Sequence, residues 1–217
     1  MDNYYFEKLK KSIKGRAYIF IDAANLERSV QDMWVNPKDI PDDFRKHYAD
    51  DLRWRVDYKN LKEFFESICD CKKIIFYSPN FKTPSHIKFL AFLKDNLNLY
   101  LKTKHLKEYK DHTIACPHRK ANFDVEIAVD ATFELNKYDT FILFSGDCDF
   151  EYLLKFLRSQ HKRTIVFSMI GHIAKELPPA ANDYFDIIEF RFKFFRIILP
   201  KAKNLAQIER DPAVHDS

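Results

Sequence analysis

The stretch Phe141–Phe150, FILFSGDCDF, decides how the rest of the chain is read. Four apolar residues, Phe141 to Phe144, run into the turn pair Ser145-Gly146, and two carboxylates, Asp147 and Asp149, follow before a new amphipathic run begins. An apolar run ended by turn residues and succeeded by helical periodicity predicts a buried strand, a sharp turn and a helix start. Ligands of open α/β sheets sit beyond the carboxyl ends of the strands, so acids placed there stand where chemistry would occur. A second stretch of the same design lies far upstream: AYIFI at 17–21, then Asp22, then Asn25. Two strand ends that each deliver an acid imply one shared site.

Outward from these two strands the chain alternates. Residues 1–14 space Tyr5, Phe6, Leu9 and Ile13 as a short helix leading to Gly15, and 57–70 put Leu61, Phe64, Phe65 and Ile68 on one helical face behind Asp57 as N-cap. Strands are expected at 73–78, 97–103, 163–168 and 185–190, with helices after Pro84 and over 150–160. Strands interleaved with helices predict an α/β fold with a mostly parallel sheet covered on both faces. The segment 122–137 is helical in pattern, with Val125, Ile127, Ala128, Val129, Ala131 and Phe133 too apolar for a surface helix. Asp124 in its first turn suits the helix dipole. Asp130 has no such explanation, because an unpartnered carboxylate among apolar neighbours is costly. Six residues separate the two, roughly 9 Å of rise and about a third of a turn in facing, so both can border one cavity without sharing an ion equally.

Two segments stand outside that alternation. Residues 26–56 hold both tryptophans, Trp34 and Trp54, with Pro37 and Pro41, and read as a long insertion between the first strand and its helix. The two tryptophans are expected to close the core rather than to stack on bases. The run from Phe190 on, FRFKFFRIILPKAK, interleaves Arg191, Lys193, Arg196, Lys201 and Lys203 with aromatics. It reads as a basic-aromatic arm over 191–217, suited to self-packing, subunit docking or RNA, and it leaves a homodimer open.

Composition sets the remaining bounds. The 217 residues suffice for one sizeable core, and with 21 Phe, 11 Tyr and only 3 Gly that core is aromatic. A formal net charge of +4 is too small to demonstrate a nucleic-acid partner. The bases are clustered nevertheless, above all in a loop at 104–120 that carries Lys107, Lys110, Arg119 and Lys120. No membrane-length apolar run or signal-peptide core is present, which sets the expectation of a cytoplasmic protein. Cys69, Cys71, Cys116 and Cys148 form no secreted-type disulfide framework, and a zinc site from Cys69, Cys71, Cys116 and His118 lacks the usual ligand spacing. Reduced, packed thiols are the better reading.

If Asp22, Asp124, Asp147 and Asp149 converge, their like charges repel unless a cation holds them. Hard divalent ions such as Mg²⁺ bind through a few carboxylates together with substrate phosphates, and the natural reaction is phosphodiester hydrolysis. Asn25 would add a neutral hydrogen bond at that site. Each acid taken singly has a structural explanation as cap or strand end; taken together at three α/β junctions, a metal site is the better account.

The combination I-D-A-A-N at 21–25, F-D-V-E-I-A-V-D at 123–130 and S-G-D-C-D-F at 145–150 resembles the NYN domain of the LabA-like group, within the PIN-like nuclease superfamily. The corresponding patterns there are I-D-G-x-N, K-G-V-D-V-x-L-x-x-D and S-G-D-S-D-F. The resemblance spans roughly residues 17–190 and includes Leu177 and Ala181-Asn182-Asp183-Tyr184-Phe185. It implies a three-layer, Rossmann-like α/β/α sandwich and a metal-dependent ribonuclease. The ion, Mg²⁺ or Mn²⁺, would be held by Asp22, Asp124, Asp147 and Asp149, with Asn25, Ser145 and Asp130 in support and RNA as partner. Ala23 departs from the usual Gly, and Lys120 is displaced by one position. A non-catalytic RNA-binding module of the same fold is the competing reading, with the basic loop on phosphates and the acids on a structural ion. A small-phosphoester phosphatase is disfavoured by the lack of a glycine-rich phosphate loop.

Overall fold

The computed structural model describes residues 3–105, 107–109, 118–120 and 122–200, with 107–109 and 118–120 described as backbone. Helix α1 (Asn3–Ser12) enters strand β1 (Arg16–Asp22) through Gly15, whose φ of +55° is a left-handed turn conformation. Helix α2 (Ala23–Gln31) follows β1 directly, because the Asp22 carboxylate accepts from the Asn25 amide and caps it. The first strand therefore meets its helix at once, and the excursion expected between them falls after α2. It comprises three 3-10 turns, Pro37–Asp39, Asp42–Phe44 and Ala49–Asp51, and strand β2 (Arg53–Val56).

Helix α3 (Tyr58–Ile68), strand β3 (Asp70–Asn80), helix α4 (Pro84–Ala91) and strand β4 (Tyr100–His105) come next. Strands β5 (Lys107–Tyr109) and β6 (His118–Lys120) pair antiparallel as a hairpin. Then follow α5 (Asp124–Phe133), β7 (Thr140–Phe144), a 3-10 turn at Cys148–Phe150, α6 (Glu151–Ser159), β8 (Arg163–Ser168), α7 (Leu177–Ala180), β9 (Asp183–Asp186), α8 (Arg191–Phe194) and β10 (Phe195–Ile198). The strand expected over 185–190 is shorter and earlier. Asp186 accepts from the Ile188 amide and turns the chain into a 3-10 segment, Ile187–Phe190.

The main sheet has six strands in the order β4-β3-β1-β7-β8-β9, and every neighbouring pair is parallel. The chain winds outward from β1 through β3 to β4, then returns to the other side of β1 with β7, β8 and β9. The order reverses between β1 and β7, which makes their carboxyl ends the topological switch point. Both faces are covered, so β7 is buried at every position, as parallel strands between two helical layers must be. One face sets Ile19, Ile21, Phe76, Ile142, Phe144 and Phe167 against Leu9, Leu26, Leu61 and Phe65. The other sets Phe20, Tyr77, Phe141, Leu143 and Val166 against Ile127, Leu154 and Leu177. This is the three-layer α/β/α sandwich. Its abundant Phe forms continuous ring contacts, with Phe144 stacked on Phe167 at 4.8 Å between centroids and Phe167 stacked on Phe185 at 5.4 Å.

Three further expectations are corrected. Residues 191–198 are not an arm beyond a boundary at 190: β10 pairs antiparallel with β2, and Phe194 is fully buried and stacks on Phe65. The former excursion and residues 191–198 thus close over the core together, and Arg191 is ion-paired with Asp39 at 2.8 Å. Of the aromatics that suggested subunit docking, Phe190, Phe194 and Phe195 are buried within the chain and Phe192 is half-exposed; Lys201 and Lys203 lie outside the described residues. Trp54 is buried as expected, with its indole N–H donating to the Trp34 carbonyl, but Trp34 is 63% exposed. Helix α5 is not wholly interior, because Val125, Val129 and Phe133 recur every four residues on an exposed stripe while Ile127 and Ala131 face the sheet.

Candidate active site

Asp22 terminates β1, and Ser145 follows β7 immediately beside it. The Ser145 hydroxyl donates to Asp22 Oδ2 at 3.2 Å and accepts from the Asp147 amide at 3.3 Å. Asn25, one turn into α2, accepts through Oδ1 from the Gly146 amide at 2.9 Å. Asp147 caps the next 3-10 turn by accepting through Oδ1 from the Asp149 amide at 3.2 Å. Gly146 is dictated by space: a Cβ there would lie 2.0 Å from the His172 carbonyl oxygen and 2.6 Å from Ser168 Oγ. The loop after β8 is held to it by the Ala174 amide, which donates to the Gly146 carbonyl at 2.9 Å.

Asp124 arrives from a third element, the first turn of α5. Burial pushes its carboxyl up to about 6, opposed by a hydrogen bond with Asn122 and assisted by the negative charges of Asp147, Asp22 and Asp149. Burial likewise raises Asp22, against hydrogen bonds from Asn25 and Ser145, and Asp147 adds to the rise. The four expected acids therefore share one electrostatic environment, at the switch point. Ligand atoms of Asp147, Cys148 and Asp149 lie within 4.8 Å of one another. Cys148 is exposed, and slight desolvation together with the two flanking carboxylates raises its thiol, which disfavours the thiolate there. An all-carboxylate donor set with mutually repelling charges fits a hard divalent cation.

The supporting residues divide. Asn25 and Ser145 bridge the strand ends as described. Asp130 does not join them: Oδ2 accepts from the Tyr77 hydroxyl at 2.9 Å, and Oδ1 accepts from Lys102 Nζ at 3.3 Å. Its apparent isolation in the sequence is resolved by partners on β3 and β4, far away along the chain. Lys107, Arg119 and Lys120 lie on the β5–β6 hairpin, between the end of β4 and the start of α5. Lys110 and Cys116 lie outside the described residues. Sequence reasoning missed Glu27, held by the Tyr58 hydroxyl at 2.7 Å in a cleft beside α2. A glutamate in a polar helix carries no pattern that would single it out.

A fully parallel α/β/α sandwich with carboxylates at its switch point is the architecture of the PIN-like class. The family model of the NYN domain matches residues 16–189. The chain belongs to the NYN domain family. Over 140 residues it is 29% identical to the low amplitude and bright protein LabA of Synechococcus elongatus, an overlap of 64% of this chain and 75% of that protein. A crystal structure of a protein of unknown function from Vibrio parahaemolyticus shares the fold with a TM-score of 0.62 at 19% identity, over 84% of this chain and 97% of that one. Among the described residues no helix is long and apolar enough to cross a membrane.

Proposed function

We propose that this protein is a divalent-metal-dependent endoribonuclease that hydrolyses RNA phosphodiester bonds at Asp22, Asp124, Asp147 and Asp149. What supports the reading is that Asp22, Asp147 and Asp149 act electrostatically on Asp124 from separate α/β junctions, its carboxyl being raised to about 6 by burial first and then by these neighbours. Carboxylates so arranged need a cation to offset their repulsion, and a substrate phosphate binds against such an ion. Mg²⁺ or Mn²⁺ would be held by these carboxylates, and it would supply Lewis-acid polarisation of the phosphate and activation of water.

The chain's own residues do the rest. Ser145 Oγ fixes the rotamer of Asp22 while fastening the Asp147 amide, so two acids from different strands keep a set separation. Asn25 Oδ1 fixes the Gly146 amide and hence the turn that aims Asp147. Asp124, whose carboxyl burial and acidic neighbours raise to about 6 without a metal, would give up that proton to serve as a ligand. Lys107, Lys110, Arg119 and Lys120 are the bases that the sequence offers to RNA phosphates. Cys69 and Cys71, both unbridged, suit a reducing compartment such as the cytoplasm.

The test is cleavage of end-labelled, mixed-sequence RNA by wild type and Asp147→Asn with Mg²⁺, with Mn²⁺ and with EDTA. Metal-dependent cutting that the variant lacks is the expected result. RNA binding without cleavage under any metal would replace the nuclease by a binding module.

A further inference from the structure

Beside Asp22, on the side of the sheet that α2 covers, a cleft of about 1000 Å³ opens between α2, β2 and the carboxyl end of β3. Its rim begins at Ala23 and Ala24, the residues that directly follow Asp22, so cleft and acids share one edge of the molecule. Three kinds of chemistry line it. Phe81, 43% exposed, and Phe89 give aromatic surface, with the Phe81 ring edge-on to His86 at 5.0 Å. Arg28 and Arg55 give positive charge. Glu27 gives a carboxylate, and its orientation is fixed, because the buried Tyr58 hydroxyl donates to Oε1 at 2.7 Å.

That combination is unusual for a cleft with only a packing role. A carboxylate moved from water into a wall of aromatic rings loses solvation, and one phenol does not satisfy both of its oxygens. Arg55 on the same wall offsets part of the Glu27 charge, and among the described residues Oε2 has no hydrogen-bond donor. Aromatic rings at the mouth offer stacking surface to any base, and the arginines offer charge to the phosphates on either side of it. Among the four RNA bases only guanine presents two adjacent N–H donors, N1–H and N2–H, which a single carboxylate accepts together. Five residues separate Asp22 from Glu27, roughly 7.5 Å along α2, a distance suited to a nucleotide near the phosphate held at the acids.

We propose that this cleft is a base-recognition subsite that selects guanine in the RNA strand, with Glu27 accepting from its Watson–Crick edge and Phe81 stacking on it. The proposal rests on the nuclease reading for its link to cleavage, but base selection is read by binding alone.

The experiment measures fluorescence anisotropy of labelled UUGUU, UUAUU, UUCUU and UUUUU against the full chain in EDTA, with unlabelled guanosine monophosphate as a competitor. Wild type is expected to bind UUGUU about tenfold or more tightly than the other three, the discrimination of one paired base contact. Glu27→Gln, which keeps an acceptor for Tyr58 but turns an amide toward the base, is expected to level the four affinities. Phe81→Ala, at a half-exposed position where folding is not at stake, is expected to weaken all four and UUGUU most. Equal affinities in wild type overturn the proposal. So does a preference that Glu27→Gln leaves intact, and so does competition by the mononucleotide without any difference among the oligonucleotides, which would make the cleft a free-nucleotide site. Failure of wild type to cut RNA sinks the nuclease reading instead, and leaves these affinities to decide the cleft by themselves.

Discussion

The hydroxyl of Ser145 donates to Asp22 Oδ2 at 3.2 Å and accepts the Asp147 amide at 3.3 Å, so one side chain at the end of β7 ties the acid of β1 to the acid of the following turn. Groups that hold ligands without touching the reacting atoms commonly change metal affinity or rate by roughly 10–100-fold when removed. Ser145→Ala is expected to lower metal-dependent RNA cleavage by about that factor while leaving the melting temperature within a few degrees. A normal rate in that variant would reduce Ser145 to a strand terminator.

Proton and cation compete for the same carboxylates, and the sign of the pH effect follows from Asp124. Its folded value of about 6 lies above the ordinary 3.8, so the folded state binds this proton more tightly than the unfolded chain does. The penalty is therefore full above about pH 6 and is relieved as pH falls from there toward 3.8. Metal-free protein is expected to gain stability from this group between pH 7.5 and pH 5, and Asp124→Asn to remove that gain, about 1–2 °C in a thermal melt because solvent screens a half-exposed carboxylate. Mn²⁺ should act in the opposite sense, raising the melting temperature at pH 7.5 and scarcely at pH 5, since a ligand must be deprotonated to bind. Equal metal stabilisation at both pH values would remove Asp124 from the ligand set.

Gly146 occupies a position that no side chain can share. With His172 O at 2.0 Å and Ser168 Oγ at 2.6 Å from a Cβ, Gly146→Ala forces the loop after β8 away from the Ser145-Gly146 turn. Overpacking of this kind costs about 1–3 kcal/mol. Urea unfolding should show the loss, together with reduced cleavage, because the same turn aims Asp147. A variant as stable and active as wild type would mean that the loop moves freely.

The strands and the site edge were legible because buried parallel strands are short apolar runs and because S-G-D-x-D places its acids at a fixed offset from one. Asp22, Asp124, Asp147 and Asp149 are the acids that this alternation sets at strand ends and helix starts, and the charges of Asp22, Asp147 and Asp149 act on Asp124. What was hidden depends on pairing across distance. Nothing local to Phe194 says that it will stack on Phe65, nor that β10 will add to β2, so the sequence around 191 reads as a loose arm. Trp34 misled for the opposite reason: its size argues for burial, yet only its backbone carbonyl is used, by Trp54. Glu27 escaped notice because its partner Tyr58 is 31 residues away and on another helix.

Asp130 gives the sharpest distinction between an acid of the fold and an acid of the site. It lies on α5 with Asp124, and the sequence leaves it apparently without a partner. The structure gives it two, the Tyr77 hydroxyl at 2.9 Å and Lys102 Nζ at 3.3 Å. The half-exposed lysine contributes little, as surface ion pairs do, at most about 1 kcal/mol. Tyr77 is fully buried, so its hydroxyl depends on this acceptor. Asp130→Asn keeps an oxygen for Tyr77 and is expected to cost at most about 1 kcal/mol, whereas Asp130→Leu strands the hydroxyl and is expected to cost about 1–3 kcal/mol. Adding Tyr77→Phe to Asp130→Leu should recover part of that loss, since the unsatisfied group goes with it. Both single variants, once folded, are expected to cut RNA within a few-fold of wild type. A loss in Asp130→Asn as deep as that of Asp147→Asn, with normal stability, would instead place Asp130 among the residues that hold the ion.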